Sequence, residues 1–193
     1  MQAFHSKVTV GLFASVLAVL TTTAARADDP RNGGYFQLRT SDGYCLGMEH
    51  DRLTNGTQME EATCHPTSAA STQAWWWSPT DCFWVQDANG NWEKYCTITT
   101  SNNKCLGTYA GSGNQGTYAV IWDCLGTSHT DQYWSTDVAA DGTMKIWNGK
   151  SPGYGLGYAG TTSEYCGFSF TCYHYQVGLE SAAFQLTATP ATP

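Results

Sequence analysis

The residues of this chain suited to chemistry are few, and their spacing narrows what they could do. Beyond His5 near the start, the histidines are His50, His65, His129 and His174. No two lie four residues apart, the spacing that sets a pair of metal ligands on one helical face. Ala110-Gly111-Ser112-Gly113 lacks the Gly-x-Ser-x-Gly spacing of a nucleophile elbow and reads as a glycine turn. Glu60 and Glu61 are adjacent in an extended stretch, so they point to opposite faces and do not form the paired carboxylates of a glycosidase. Eight cysteines remain, all beyond residue 27 and with no Cys-x-x-Cys pair, which argues against zinc and for disulfides. The chain is therefore expected to be no enzyme, with no metal and no cofactor.

The spacing of those cysteines exposes the elements that must position everything else. Cys45 and Cys64 are separated by the same interval as Cys105 and Cys124, and two copies of one unit should make the same bond. Cys82 with Cys96 and Cys166 with Cys172 are then the remaining local pairs, and a bridge closing a loop of about 20 residues contributes roughly 3 kcal/mol. The copies are visible directly. YFQLRTSDGYCLG, Tyr35 to Gly47, returns without gaps as YCTITTSNNKCLG, Tyr95 to Gly107, and in weaker form as KIWNGKSPGYGLG, Lys145 to Gly157. Self-similarity of this kind decides the architecture before any local propensity does.

Each copy has the grammar of short strands and turns. Tyr35 to Arg39 alternates and breaks at Ser41-Asp42-Gly43, a hairpin signal. Asn55-Gly56-Thr57, formally a glycosylation sequon, recurs as the turn Gln115-Gly116-Thr117, and each is followed by a strand ending at the second cysteine. Gln73-Ala74-Trp75 recurs as Gln132-Tyr133-Trp134, and the spacing from Gly155 makes Phe184 the third member of the Trp75 and Trp134 series. In the third copy Phe168 to Cys172 reads as the later strand. Four strands per copy is the economical count, with repeats at about 35–80, 95–141 and 144–187 and an inserted, disulfide-tied hairpin at 81–94 turning at Asn89-Gly90-Asn91. Leu46, Leu106 and Leu156, with Trp75, Trp134 and Phe184, are expected to converge near a threefold axis, closing the sheet and removing its edges.

Composition sets the surroundings. Residues 1–27 read as a signal peptide: Lys7 precedes an apolar run from Val8 to Leu20, too short to span a bilayer, and small residues end at Ala25-Arg26-Ala27. Its removal takes away Lys7 and Arg26 and no acid, moving the formal charge from −7 to −9. With no basic run, nucleic acid and anionic membrane are not expected partners. Residues 28–34 are a polar leader, and 188–193 form a Pro/Thr-rich tail. The expected class is all-β, disulfide-stabilised and secreted, with no membrane span.

The combination of Cys45, Leu46, Gly56, Thr57, Cys64, Gln73 and Trp75, repeated as Cys105, Leu106, Gly116, Thr117, Cys124, Gln132 and Trp134, resembles the ricin-type lectin domain, a β-trefoil family. The resemblance covers Tyr35 to about Thr187 and implies a secreted, non-catalytic binder of galactose-type or other exposed sugars. It also implies two polar and aromatic features. Galactose-binding members usually carry an aspartate two places after the first cysteine, where this chain has Gly47, Gly107 and Gly157. An aromatic platform two residues before the second cysteine would be Ala62, Trp122 and Phe170 in the three copies. Sugar recognition needs such a platform for the C–H face and acceptors for the hydroxyls. The second copy comes nearest, with Trp122, Tyr109, Asn114 and Asp131, and the third offers Phe170, Tyr158 and His174. Gln73 and Gln132 are expected to brace the backbone, and Trp75, Trp134 and Phe184 to lie in the core. The missing aspartates leave open a second function: a sugar-binding-deficient trefoil serving as a protein-interaction adaptor or targeting subunit of an extracellular complex or toxin, or as an inhibitor of an extracellular hydrolase. An exposed aromatic patch including Trp76, Trp77, Trp84 or Trp92 would favour a protein partner.

Overall fold

A computed structural model of the chain describes residues 33–67, 71–86, 90–165 and 171–193. The expected signal peptide, the leader up to residue 32, Asn89 of the expected hairpin turn, and Cys166, Phe168 and Phe170 lie outside the described residues. Twelve strands are found among the described residues: β1 (Tyr35–Thr40), β2 (Cys45–Met48), β3 (Met59–Ala62), β4 (Trp75–Gln86), β5 (Trp92–Thr99), β6 (Lys104–Thr108), β7 (Ala119–Asp123), β8 (Tyr133–Val138), β9 (Met144–Asn148), β10 (Gly155–Tyr165), β11 (Thr171–Glu180) and β12 (Leu186–Pro190). All pairings are antiparallel and join into one sheet in which β1 pairs with β12, β12 with β9, β9 with β8 and β8 with β5. The only helical pieces described are single 3-10 turns, including Glu49–Asp51, Tyr109–Gly111 and Thr130–Gln132.

The Cys-Leu-Gly strands form the inner wall of this sheet. Leu46, Leu106 and Leu156 are fully buried and share one core with Trp75, Trp134, Ile98, Ile121, Ile146 and Leu179. Trp75 donates its indole N–H to the Leu46 carbonyl at 2.9 Å, and Trp134 donates to the Leu106 carbonyl at 2.9 Å. A phenylalanine has no such donor, and at the corresponding Leu156 carbonyl the bond comes from the Phe184 backbone N–H, at 2.8 Å. Phe184 itself is only partly buried against the core. The disulfides Cys45–Cys64, Cys105–Cys124 and Cys82–Cys96 are formed.

The glycine-threonine turns lock one copy to the next. The Gly56 N–H donates to Ile121 O (2.8 Å) and Ile121 N–H to Thr57 O (3.0 Å). Sixty residues on, Gly116 N–H donates to Leu179 O (2.8 Å) and Leu179 N–H to Thr117 O (2.9 Å). Both glycines hold positive φ, 84° and 78°, which an L side chain adopts only under strain. The approach is so close that a Cβ on Gly178 would stand 2.4 Å from the Thr117 oxygen. The turn role thus accounts for Asn55-Gly56-Thr57.

Two segments depart from the sequence expectation, the tail at 188–193 and the later strand of the third copy: Ala188 to Pro190 are no loose tail but the end of β12, paired with β1, and Ala188 is buried in the core. The disulfide-tied hairpin expected at 81–94 is present, carried by β4 and β5, which pair from Trp76–Thr99 outward to Gln86–Trp92 with a register shift between Trp77 and Cys82. The bulge absorbs Ser78 to Asp81, so the strands run on without a new turn. In the third copy the return strand is β11, which continues to Glu180, well past Cys172. It forms with β10 a long hairpin from Gly155–Glu180 to Tyr165–Thr171.

Candidate functional site

The second copy builds an open cavity of about 350 Å³, lined by Tyr109, Trp122, Leu125, His129, Asp131 and the backbone around Gly107, among others. Its floor is the β6–β7 pair, where Cys105 faces Trp122 and Gly107 faces Val120. Trp122 is 44% exposed and leans on the neighbouring copy: a Cβ on Gly56 would lie 3.2 Å from its ring. Tyr109 follows β6 on the tight Tyr109–Gly111 turn, where Ala110 and Gly111 both have positive φ. It is 58% exposed at the rim.

The polar side of the cavity comes from the turn before β8. Asp131 is 7% exposed, and its Oδ2 lies 3.3 Å from the position a Gly107 Cβ would occupy. Its Oδ1 lies 3.5 Å from the corresponding point on Gly111. Two bare glycines therefore make the room that this carboxylate fills. Among the described residues no hydrogen bond or ion pair ends on the carboxylate. Its backbone carbonyl, by contrast, is fixed by the Asn148 amide at 2.9 Å. A carboxyl group thus stands beside Gly107, the position at which galactose-binding members of the resembled family usually carry an aspartate.

Gln132 holds this arrangement without presenting itself. Its amide donates to Asp123 O (2.9 Å) and its oxygen accepts from Leu125 N–H (2.8 Å), bracing the chain after β7. Gln73 makes the same pair of bonds to Thr63 O (2.9 Å) and His65 N–H (2.8 Å). Asp123, next to Trp122, is a strut rather than a free acceptor: it takes hydrogen bonds from Lys104 and from Asn55, at 2.7 Å. Those bonds, Lys104 first, hold its carboxyl below the usual range.

Two cavity residues were invisible to sequence reasoning. Thr108 is 4% exposed, and its hydroxyl has no partner among the described residues. The only signal for it is a polar residue standing where the other copies have Met48 and Tyr158. His129 joins the lining from the loop after Cys124. Asn114, by contrast, lies outside this lining: its N–H donates to Ser112 Oγ at 3.2 Å and its carbonyl accepts from Thr117 N–H, so it belongs to the glycine-threonine turn.

Neither of the other copies reproduces the site. By strand register, Ala62 faces Cys45 and Glu180 faces Gly155 as Trp122 faces Cys105. The first copy thus has no ring there. The place of Asp131 is taken by Thr72, whose hydroxyl donates to Asp51 at 2.5 Å. In the third, the residue in register is Glu180, whereas Phe170 lies outside the described residues. Any side chain on Gly157 would meet Glu180 Cβ at 2.7 Å and the Ala182 carbonyl at 2.9 Å, so the space open in the second copy is filled here. Tyr158 is exposed, but its hydroxyl bonds Thr161 and its ring lies 6.2 Å from that of Tyr175. His174 is paired with Glu60 at 2.6 Å.

No family model matches the sequence, and no curated protein matches it. Solved structures do. The designed threefold-symmetric protein ThreeFoil superposes with a TM-score of 0.56 at 18% identity, over 80% of this chain and 98% of that one. An agglutinin from Abrus precatorius superposes at 0.50 and 20% identity over 80% of this chain, which spans 48% of the agglutinin chain. A chain of the cytolethal distending toxin from Actinobacillus actinomycetemcomitans superposes at 0.51 and 14% identity over 83% of this chain and 92% of that one. Among the described residues no helix is long and apolar enough to cross a membrane. This protein has an all-β, β-trefoil-like fold, shared with these solved structures.

Proposed function

We propose that this chain is a secreted, non-catalytic β-trefoil of three pseudo-repeats that binds carbohydrate, galactose-type or another exposed pyranose, in the cavity between Trp122 and Asp131. The observation that carries the reading is the carboxylate of Asp131 standing against Gly107 in the same cavity as the Trp122 and Tyr109 rings. An indole face suits the C–H face of a sugar, and a carboxylate held in a mostly buried setting is a strong acceptor for its hydroxyls. The unpaired hydroxyl of Thr108 adds a donor or acceptor on the same wall. The likeness to an agglutinin supports a saccharide ligand, and three disulfides suit an oxidising, extracellular setting.

Retention on immobilised galactose and on a glycan array tests it. Trp122→Ala should weaken retention at least about tenfold, the equivalent of about 1.4 kcal/mol, with a smaller fall in melting temperature than a core substitution causes, since Trp122 is 44% exposed and leans on the Gly56 turn of the neighbouring copy. Asp131→Asn should weaken it by about 10- to 100-fold, the usual cost of a lost charged hydrogen bond. Unaltered retention in both variants would sink the proposal.

A further inference from the structure

A second, larger space lies between the extended hairpin and the strand beside it. β5 pairs with β8 at Cys96–Trp134 and Thr97–Tyr133, and the pairing ends there. Continued in register, Lys94 would oppose Thr136 and Glu93 would oppose Asp137. The strands part instead, and a cleft of about 670 Å³ opens, lined by Trp77, Trp84, Trp92, Trp147, Glu93 and Asp137 among others. Half of the chain's eight tryptophans therefore stand on one cleft. Trp84 and Trp92 are 59% and 63% exposed, more than any other tryptophan described. The pairs Trp84–Lys94 and Gln86–Trp92 put both rings on the same face of the hairpin.

The walls are prebuilt. Glu93 accepts from the Tyr95 hydroxyl at 2.8 Å and from Ser135 Oγ at 2.5 Å, which fixes its carboxylate at the point where β5 leaves β8. Trp147 donates to Asp137 at 2.7 Å, and the Lys145 ammonium lies 5.8 Å from its ring centroid. Two lining groups are buried and unpaired among the described residues: the indole N–H of Trp77, itself 3% exposed, and the Thr136 hydroxyl. A buried donor left without a protein partner is costly, and both of these lie just beneath the cleft surface.

We propose that this cleft is a second saccharide site, separate from the Trp122 cavity, that takes a run of residues from a neutral oligosaccharide. Exposed indoles alone would favour a protein partner, but indoles bordered by the fixed carboxylates of Glu93 and Asp137 suit pyranose rings, each with an apolar face and a hydroxyl edge. The volume, about twice that of the Trp122 cavity, favours a chain over a single sugar. Glu93 and Asp137 repel an acidic glycan, while Lys94 in the lining and Lys145 over Trp147 disfavour a cationic ligand.

The test uses the full chain with neutral gluco-, galacto- and manno-oligosaccharides from monosaccharide to hexasaccharide, read by calorimetry. W84A/W92A should bind the best hexasaccharide at least about tenfold more weakly, with monosaccharide binding and melting temperature unchanged. W84F/W92F should recover most of the loss, because phenyl rings still stack. W122A should show the opposite pattern, losing the monosaccharide and keeping the hexasaccharide. If W122A alone abolishes all binding, the cleft proposal falls and the Trp122 reading stands. If W84A/W92A alone does, the Trp122 reading falls. Equal binding of every oligosaccharide by wild type and W84A/W92A, or binding of none, overturns the cleft site. So does loss in W84A/W92A of a protein partner from culture fluid without any change in oligosaccharide binding.

Discussion

Gly107 and Asp131 act as one unit. The glycine contributes by having no side chain, since Gln132 Cγ stands 3.0 Å and Asp131 Oδ2 3.3 Å from where its Cβ would be. Restoring the aspartate usual in galactose-binding lectins at Gly107 would therefore not create a site. Gly107→Asp is predicted to lower retention at least as much as Asp131→Asn, because two carboxylates would compete for one space and the Gln132 brace would be displaced. Binding by Gly107→Asp equal to or tighter than wild type, measured on the same matrix, would show that Asp131 does not do this work.

The longest strand among the described residues, β4, forms a hairpin with β5. Its base is tied by Cys82–Cys96, and its inner face is packed by Phe83 against the rings of Tyr95 at 5.7 Å and Tyr133 at 4.9 Å. Asp81 binds the two neighbouring strands, accepting from Thr97 at 3.1 Å and from the Tyr133 hydroxyl at 2.9 Å. Burial first, then that bond to a carboxylate, pushes the Tyr133 phenol up to about 12, so it stays a donor throughout the physiological range. Removing the disulfide by Cys82→Ala with Cys96→Ala frees a loop with a sequence separation of 14 residues. The expected cost is about 3 kcal/mol. Hydrogen exchange should quicken in Asp81 to Gln86 and Trp92 to Cys96, with retention through Trp122 unchanged. Loss of both together would mean that the hairpin supports the whole sheet.

At the scale of the molecule, stability depends on how the copies meet. The position that receives the preceding copy's turn is Ile121 in the second copy and Leu179 in the third, both fully buried, and the residue in the same strand register in the first is Glu61. Glu61 faces Leu46 on β2 and Tyr175 on β11, and burial raises its carboxyl above the ordinary 4.5, with Asp42 adding to the rise and Thr40 opposing it. A raised carboxyl favours the fold while it is protonated, at pH below its unfolded value. That contribution is lost as pH rises through the raised folded value. Glu61→Gln should therefore melt higher than wild type at pH 7, and the difference should disappear as the pH falls towards 4. A difference independent of pH would assign the effect to packing rather than to charge.

Much of this protein was legible in its sequence because repetition makes local patterns self-checking. The 19-residue cysteine interval, the Gln-x-Trp pair and the glycine-threonine turns are short-range features, and each has a local partner: a disulfide, a backbone carbonyl, an adjoining strand. Trp122, Tyr109 and Asp131 could be singled out for the same reason, each holding a fixed offset within one copy, and the structure brings them to one cavity. What the sequence could not show depends on strand register and on distance through space. Glu180 stands in the register of Trp122 because β10 and β11 pair over ten residues, which no cysteine interval records. The carboxylate of Asp131 reaches the empty side of Gly107 across 24 residues of chain, and the Trp84 and Trp92 cleft exists only because β5 and β8 stop pairing after Cys96. Sequence determined which groups each copy carries. Only the packed sheet decided which of them share a cavity, since a missing side chain has meaning only when its neighbours are in place.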